Sequence, residues 1–191
     1  MSKPVRMDLD ARYKGFKIGK YTIGEPRIEN CWCNSATLEI GAFCSIARNC
    51  TIFTGGNHHY EWLSTASLNY FLGYDLTRAG RGRYLCPKPS KGPVIIGSDV
   101  WIATNVTIME NVKIGHGAII ACNSHVVKDV PDYGIVGGNP ARLIKLRFTQ
   151  EQIDALVKIA WWNWEDSKIK ENIPLIMSPN IDEFIQKHRS Q

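Results

Sequence analysis

Two histidines stand side by side, His58 and His59, in the stretch TGGNHHYEW from Thr54 to Trp62. They follow two glycines and Asn57, in a chain with five histidines in all. A neutral imidazole, with an ordinary pKa near ~6.5, is suited to take a proton from a hydroxyl or amine as that group attacks an acyl carbon. The oxyanion formed in such an attack needs a donor, typically a backbone N–H. Glycine permits backbone angles that let the ring point into a cleft. The plainer role, a histidine capping a turn, fits the same residues. Asn57 fits a turn as readily as a contact that orients His58 or holds a substrate. A zinc site of the three-histidine kind needs a close ligand pair, and His116 and His125 are nine residues apart. No metal is expected.

The elements that position these residues follow a period of six. Ile96, Ile102, Ile108, Ile114, Ile120 and Val126 mark it, with Val94, Val100, Val106, Val112, Ala118 and Ser124 two residues before each. The same phase runs earlier through Ile40, Ile46 and Ile52, with Leu38, Cys44 and Cys50 as companions. FKIGKYTIG is a weaker echo. Six fits neither a helix nor an alternating strand. It fits short strands joined by tight turns, three sides to a triangular coil, stacked as a parallel β-helix with a shared core.

The rhythm stops at Phe53 and resumes at Val94. The excursion between them, residues 54–93, is too aromatic for a disordered linker and too long for an idle one. After Asp129 the β-helix is expected to end in VPDYGIVGGNPARLIK. Thr149 with Gln152 forms a capping box, and Ile153, Leu156, Val157, Ala160, Trp161 and Trp164 make one apolar helical face. A last short helix follows SPN. The organisation is therefore a β-helix domain over residues 1–148 and a helical extension, 149–191, covering the open end of the same domain.

Composition sets the bounds. Net charge is +5, too mild to imply nucleic acid, and no apolar run is long enough to span a bilayer. The N-terminus lacks the apolar core of a signal peptide, which suggests the cytoplasm. The six cysteines do not form a disulfide framework. Cys44, Cys50 and Cys122 are read as core residues, and Cys31 with Cys33 lacks a second pair at zinc spacing.

GGNH at 55–58, VWIA at 100–103, GGNPAR at 137–142 and WWNW at 161–164 occur in that order. With the six-residue period they resemble the hexapeptide-repeat acyltransferases, in the xenobiotic acetyltransferase branch. That branch holds chloramphenicol and streptogramin acetyltransferases together with sugar and polysaccharide acetyltransferases. The resemblance covers nearly the whole chain from Ile18 onward. It implies a mainly β fold, a left-handed parallel β-helix with a long protruding loop and C-terminal helices. It also implies an acetyl-CoA-dependent enzyme, a homotrimer with the loop reaching the next subunit, and His58 as general base. Trp101, Ala103 and Ala121 would line the pantetheine path, the two alanines stacking one coil apart. Gly138, Asn139 and Pro140 would pass the nucleotide end, with Arg142 and Lys145 on its phosphates. Asn57, His59, Tyr60 and Trp62 would meet the acceptor. The tryptophans of WWNW are read as core or subunit contacts.

The acceptor is the open part. HHYEWLSTASLNYF departs from the phenylalanine–proline–phenylalanine stretch of many members of the branch, and KIGKYTIGEPRIEN looks more like the sugar enzymes. The expectation is a hydroxyl or amine of a sugar, either nucleotide-linked or a precursor of cell-surface polysaccharide such as lipopolysaccharide. Arg78, Arg81 and Arg83 would face a diphosphate or water. The alternative is an antibiotic acceptor, chloramphenicol or a streptogramin. A non-catalytic solenoid is the competing class, and it has no use for GGNH and GGNPAR together.

Overall fold

The computed structural model describes residues 5–29, 36–75 and 90–189. Short parallel strands wind into three sheets. One carries β1 (Lys17–Ile18), β3 (Leu38–Ile40), β6 (Val94–Ile96) and β9 (Lys113–Ile114). The second carries β4 (Ser45–Ile46), β7 (Trp101–Ile102), β10 (Ile119–Ile120), β12 (Gly134–Gly137) and β13 (Arg142–Leu146). The third carries β2 (Arg27–Glu29), β5 (Thr51–Phe53), β8 (Thr107–Ile108) and β11 (His125–Val126). Register follows the sequence period: Ile40 pairs with Ile96, Ile46 with Ile102, and Ile52 with Ile108. Ile96, Ile102, Ile108, Ile114 and Ile120 are all fully buried with their companions Val94, Val100, Val106, Val112 and Ala118. The branched residues therefore stack in columns inside the prism, where each adds apolar contact with the coils on either side.

A second regularity lies at the corners. The third residue after each column isoleucine except Ile52, where the excursion departs, adopts a left-handed conformation: Phe43, Asn49, Asp99, Asn105, Asn111, Gly117 and Asn123. Asparagine, aspartate and glycine tolerate this region, and their recurrence is a turn signal that the six-residue reading passes over. Phe43, Tyr21 and Tyr133 sit there despite bulky side chains. Each of these rings packs on an aromatic: Phe43 on Tyr21 and Trp161, and Tyr133 on Phe148.

Several expectations need correction. The β-helix runs past Asp129 and ends inside the expected stretch: β12 pairs in parallel with β10, and β13 then turns back antiparallel to β12. GGNPARLIK is thus the reversal and a final strand. The capping box at Thr149 and Gln152 is present and starts α2 (Gln150–Ile159). Left-handed Ala160 ends that helix, so Trp161 and Trp164 lie beyond it, and Trp161–Asn163 forms a 3-10 turn. Within WWNW the deeply buried ring is Trp162, at 4% exposure. A further helix, α3 (Asp166–Ile176), precedes α4 (Ile181–His188). Cys44 and Cys50 are buried as read, and burial pushes the Cys44 thiol up to about 11. Cys122 is exposed, because it sits two residues past a column isoleucine, on the corner. Cys31 and Cys33 lie outside the described residues, as do Arg78, Arg81 and Arg83.

The tail packs on the coil by a second apolar cluster of Tyr133, Ile153, Leu156, Phe184 and Ile185, flanked by Trp161 and Trp164. Lys20 reinforces it, donating to the Trp164 carbonyl and to Asp166, both at 2.9 Å. No described helix is long and apolar enough to cross a membrane.

Candidate active site

The excursion leaves the coil through a buried stem. Thr54 is fully buried, its N–H donates to the Glu29 carbonyl at 2.9 Å, and Gly55 is buried beside it. From this base Asn57, His58 and His59 emerge. His58 is exposed, and its Nδ1 lies 2.7 Å from the carbonyl oxygen of Thr65. A carbonyl only accepts, so Nδ1 carries the proton and donates it. In the neutral ring Nε2 is then left with a free lone pair. That is the tautomer a general base requires.

His59 turns to different partners. Its Nδ1 lies 3.0 Å from a Glu61 carboxylate oxygen, and its ring stacks on Trp62 at 3.9 Å with an interplanar angle of 3°. Its Nε2 is buried without a hydrogen-bond partner. Tyr60 and Leu63 project outward, as do Leu68 and Phe71 of α1 (Leu68–Phe71) and the following Leu72. Exposure reaches 73% at Phe71 and 76% at Leu72, so the loop presents an apolar surface. The Asn57 side-chain amide donates to Glu110, a residue the sequence reading passes over. Its NH₂ group points at the coil rather than at His58.

Trp101 is outward and half-exposed, at 53%, on the outer face of the second sheet. Ile119 pairs with both Trp101 and Ile135, so the three lie in one outward row. Ala103 and Ala121 follow paired isoleucines and stack one coil apart, as their spacing implies. Ala47 and Gly137 extend the same edge, and Ala47 escapes the sequence reading. The Ala103 and Ala121 N–H groups do not line the edge as free donors, since they donate to Ile120 and Val136 at 2.9 Å. The edge offers room rather than donors.

Residues 138–141 hook around His125: the His125 N–H donates to the Gly138 carbonyl, and the Ala141 N–H donates to the His125 carbonyl. The Asn139–Pro140 peptide within this hook is cis. Gly138 has a φ of +99°, which favours glycine. Arg142 opens β13 opposite Gly137, and Lys145 stands opposite Ile135. A bulge between Ile135 and Val136 changes the register, which places one cation at the small-residue edge and the other on the outer sheet face. Both are exposed.

The third coil edge differs. Gly19, Gly41, Gly97 and Gly115 stack there, each too close to the next coil for a Cβ. A groove of about 830 Å³ runs along it beneath Trp162, lined also by Lys17, Glu39, Lys113 and His116. It is separate from the alanine edge. Among the described residues, no three histidine, cysteine or acidic side chains converge as a metal site.

Comparison with known proteins agrees with this architecture. The bacterial transferase hexapeptide model, with six repeats, matches residues 93–128. A chloramphenicol acetyltransferase of Klebsiella aerogenes is 42% identical over 146 residues, covering 75% of this chain and 68% of the relative. The chain belongs to the hexapeptide-repeat acetyltransferases. A probable macrolide acetyltransferase of Lysinibacillus sphaericus is 43% identical over 154 residues, 79% of this acetyltransferase and 83% of the relative. A virginiamycin A acetyltransferase of Staphylococcus aureus is 41% identical over 155 residues, covering 80% and 68%. Among solved structures, a hexapeptide-repeat acetyltransferase of Vibrio cholerae aligns with a TM-score of 0.51 at 26% identity, covering 71% of this chain and 65% of that one. The protein is an acetyltransferase, and its hexapeptide repeat is that of its family.

Proposed function

We propose that this acetyltransferase moves the acetyl group of acetyl-CoA to a hydroxyl of an antibiotic of the chloramphenicol or streptogramin kind, with His58 as general base. The observation that carries the reading is the His58–Thr65 contact, which commits Nδ1 and leaves Nε2 able to accept a proton. In the reaction His58 Nε2 takes the acceptor's hydroxyl proton as its oxygen adds to the thioester carbonyl carbon. The imidazolium then returns that proton to the departing sulfur as the C–S bond breaks. The products are an acetyl ester and free thiol, and the histidine is regenerated.

The acceptor assignment reverses the preference drawn from the sequence alone. A sugar acceptor rested on the loop's departure from the common stretch and on the N-terminal segment. The relatives at 41–43% identity are named for chloramphenicol, macrolide and virginiamycin A. The exposed loop residues Leu63, Tyr70, Phe71 and Leu72 also suit an apolar acceptor better than a run of hydroxyls. His59, Tyr60 and Trp62 are the acceptor-facing residues of this reading, with Asn57 left its side-chain carbonyl and one amide N–H.

For the donor, Trp101, Ala103 and Ala121 form the side of the pantetheine path, and Gly138, Asn139 and Pro140 pass the nucleotide end. Arg142 and Lys145 supply cations for its phosphates, and neither makes an ion pair among the described residues. The coil is left-handed, as in the family. The assembly is a homotrimer in which the apolar loop and the Trp101–Ile119–Ile135 row are covered by neighbours.

The test is thiol release from acetyl-CoA with chloramphenicol, a group A streptogramin, a macrolide, and amino and hydroxy sugars as separate acceptors. Release with an antibiotic supports the reading; release with a sugar alone restores the other branch. His58→Ala should lower kcat by about 10²–10⁴-fold in an intact oligomer. Near-normal turnover in that variant would remove His58 from the mechanism.

A further inference from the structure

Glu110 is a buried carboxylate, at 7% exposure, on the corner that follows β8. The parallel pairing of Ile52 with Ile108 carries Thr54 to the level of Glu110 in the adjacent coil. This is where the lower coil breaks off into the excursion. One Glu110 oxygen accepts from the Asn57 side-chain amide, and the other accepts from the Ser90 hydroxyl at 2.6 Å. Asn57 lies on the outgoing limb beside His58, and Ser90 on the returning limb. The next residue, Asn111, ties down the same limb by donating its N–H to the Gly92 carbonyl at 3.1 Å. Burying a carboxylate is costly unless its oxygens are hydrogen-bonded, and here both are bonded by neutral donors from opposite ends of one loop.

We propose that Glu110 is a positioning residue for acetyl transfer: its two oxygens clamp both limbs of the excursion and thereby fix the backbone that carries His58. The inference rests on His58 as base, and its test reads the clamp separately from that role. Glu110 acts through Asn57 and need not touch acceptor or donor. An error of about 1 Å in the placement of a reacting group costs on the order of 10²-fold in rate. A clamp at the neighbouring residue acts at that scale.

The experiment inverts the polarity of the contact. Asn57→Asp alone sets two carboxylates against each other. Asn57→Asp with Glu110→Gln restores both bonds, since the Gln amide donates to Asp and its carbonyl accepts from Ser90. The single variant is expected to lose about 10²-fold in kcat, with KM for acetyl-CoA unmoved. It should also show faster amide hydrogen exchange over residues 55–62. The double variant is expected to recover most of both. A double variant as slow as the single, or a single variant that matches the native enzyme in turnover and exchange, overturns the proposal. If Asn57→Asp does not fold, Ser90→Ala carries the same readings. Faster exchange at 55–62 with lower kcat supports the clamp, and exchange confined to 88–92 overturns it. His58→Ala, measured alongside, reports on the base alone, because exchange in the unliganded protein does not depend on who takes the proton.

Discussion

The imidazole of His116 lies flat on the indole of Trp162, ring centroids 4.5 Å apart at an interplanar angle of 12°. The contact joins a corner of the coil to the tail, forty-six residues later in sequence. His116 Nδ1 accepts the Ser98 N–H at 2.9 Å, which forces the ring proton onto Nε2. Protonating Nδ1 breaks that bond.

A pH dependence follows. Burial holds the His116 pKa below its ordinary value; Asp132 pulls it up and Lys113 pushes it down, both more weakly. As pH falls, the unfolded chain takes up this proton first, near ~6.5, and the folded protein only lower down. Stability is therefore present above pH ~6.5 and drains away below it. His188, also held low by burial, adds in the same direction. In His116→Asn the amide oxygen can accept the Ser98 N–H without titrating. Denaturant melts at pH 7.5, 6.5 and 5.5 should show a shallower decline than the native protein, from a starting point lowered by about 0.5–1.5 kcal/mol for the lost stack. An unchanged slope would show that His116 is not the titrating group.

The glycine edge sets a steric prediction. A Cβ at Gly97 would lie 2.7 Å from the His116 nitrogen and 2.9 Å from the Gly115 carbonyl carbon, both backbone. Gly97→Ala should destabilise by about 1–3 kcal/mol, as overpacking does. Gly15→Ala, with nothing within 4 Å of the new methyl, should stay within about 0.5 kcal/mol. Thermal melts of the pair check the contrast.

The alanine edge is expected to serve the donor rather than the fold. Ala103 is half-buried, and its added bulk would point along the proposed pantetheine path. Ala103→Leu should raise KM for acetyl-CoA roughly tenfold, equivalent to about 1.4 kcal/mol, while Tm moves little. Steady-state kinetics with saturating acceptor measure it. An unchanged KM would move the donor elsewhere.

The outward row of the second sheet predicts assembly. Ile119→Asp puts a charge between Trp101 and Ile135 on a face that the trimer reading buries. Sedimentation should shift from three chains to one. A variant that sediments like the native protein would free this face from the interface.

Much of the fold is legible in the sequence because a solenoid repeats one local solution. Each column isoleucine meets the same surroundings, so Ile102 and Ile120 report one environment twice, and the buried set matches the phase residue by residue. The capping box at Thr149 is legible for the same reason, since its partners lie within one turn. The last strand of the coil is not legible, because Val136 stands sixteen residues after Ile120, out of the six-residue phase, and only its pairing with Ile120 reveals it. WWNW is legible only in part: Trp161 and Trp164 do pack on the apolar cluster, but helical periodicity says nothing about left-handed Ala160, and the most buried ring beyond it is Trp162.

The sequence by itself determined the period, the columns of the core, the place of the excursion and the candidacy of His58 within GGNH. Each of these is a pattern between residues that are close along the chain or related by a fixed spacing. Only the tertiary structure decided that Thr65 commits His58 Nδ1, that Glu110 holds both Asn57 and Ser90, and that His116 receives Trp162. These partners belong to no repeat. They meet because the coil stacks residues by multiples of its turn, and because loop and tail fold back onto edges whose free space depends on the coils above and below.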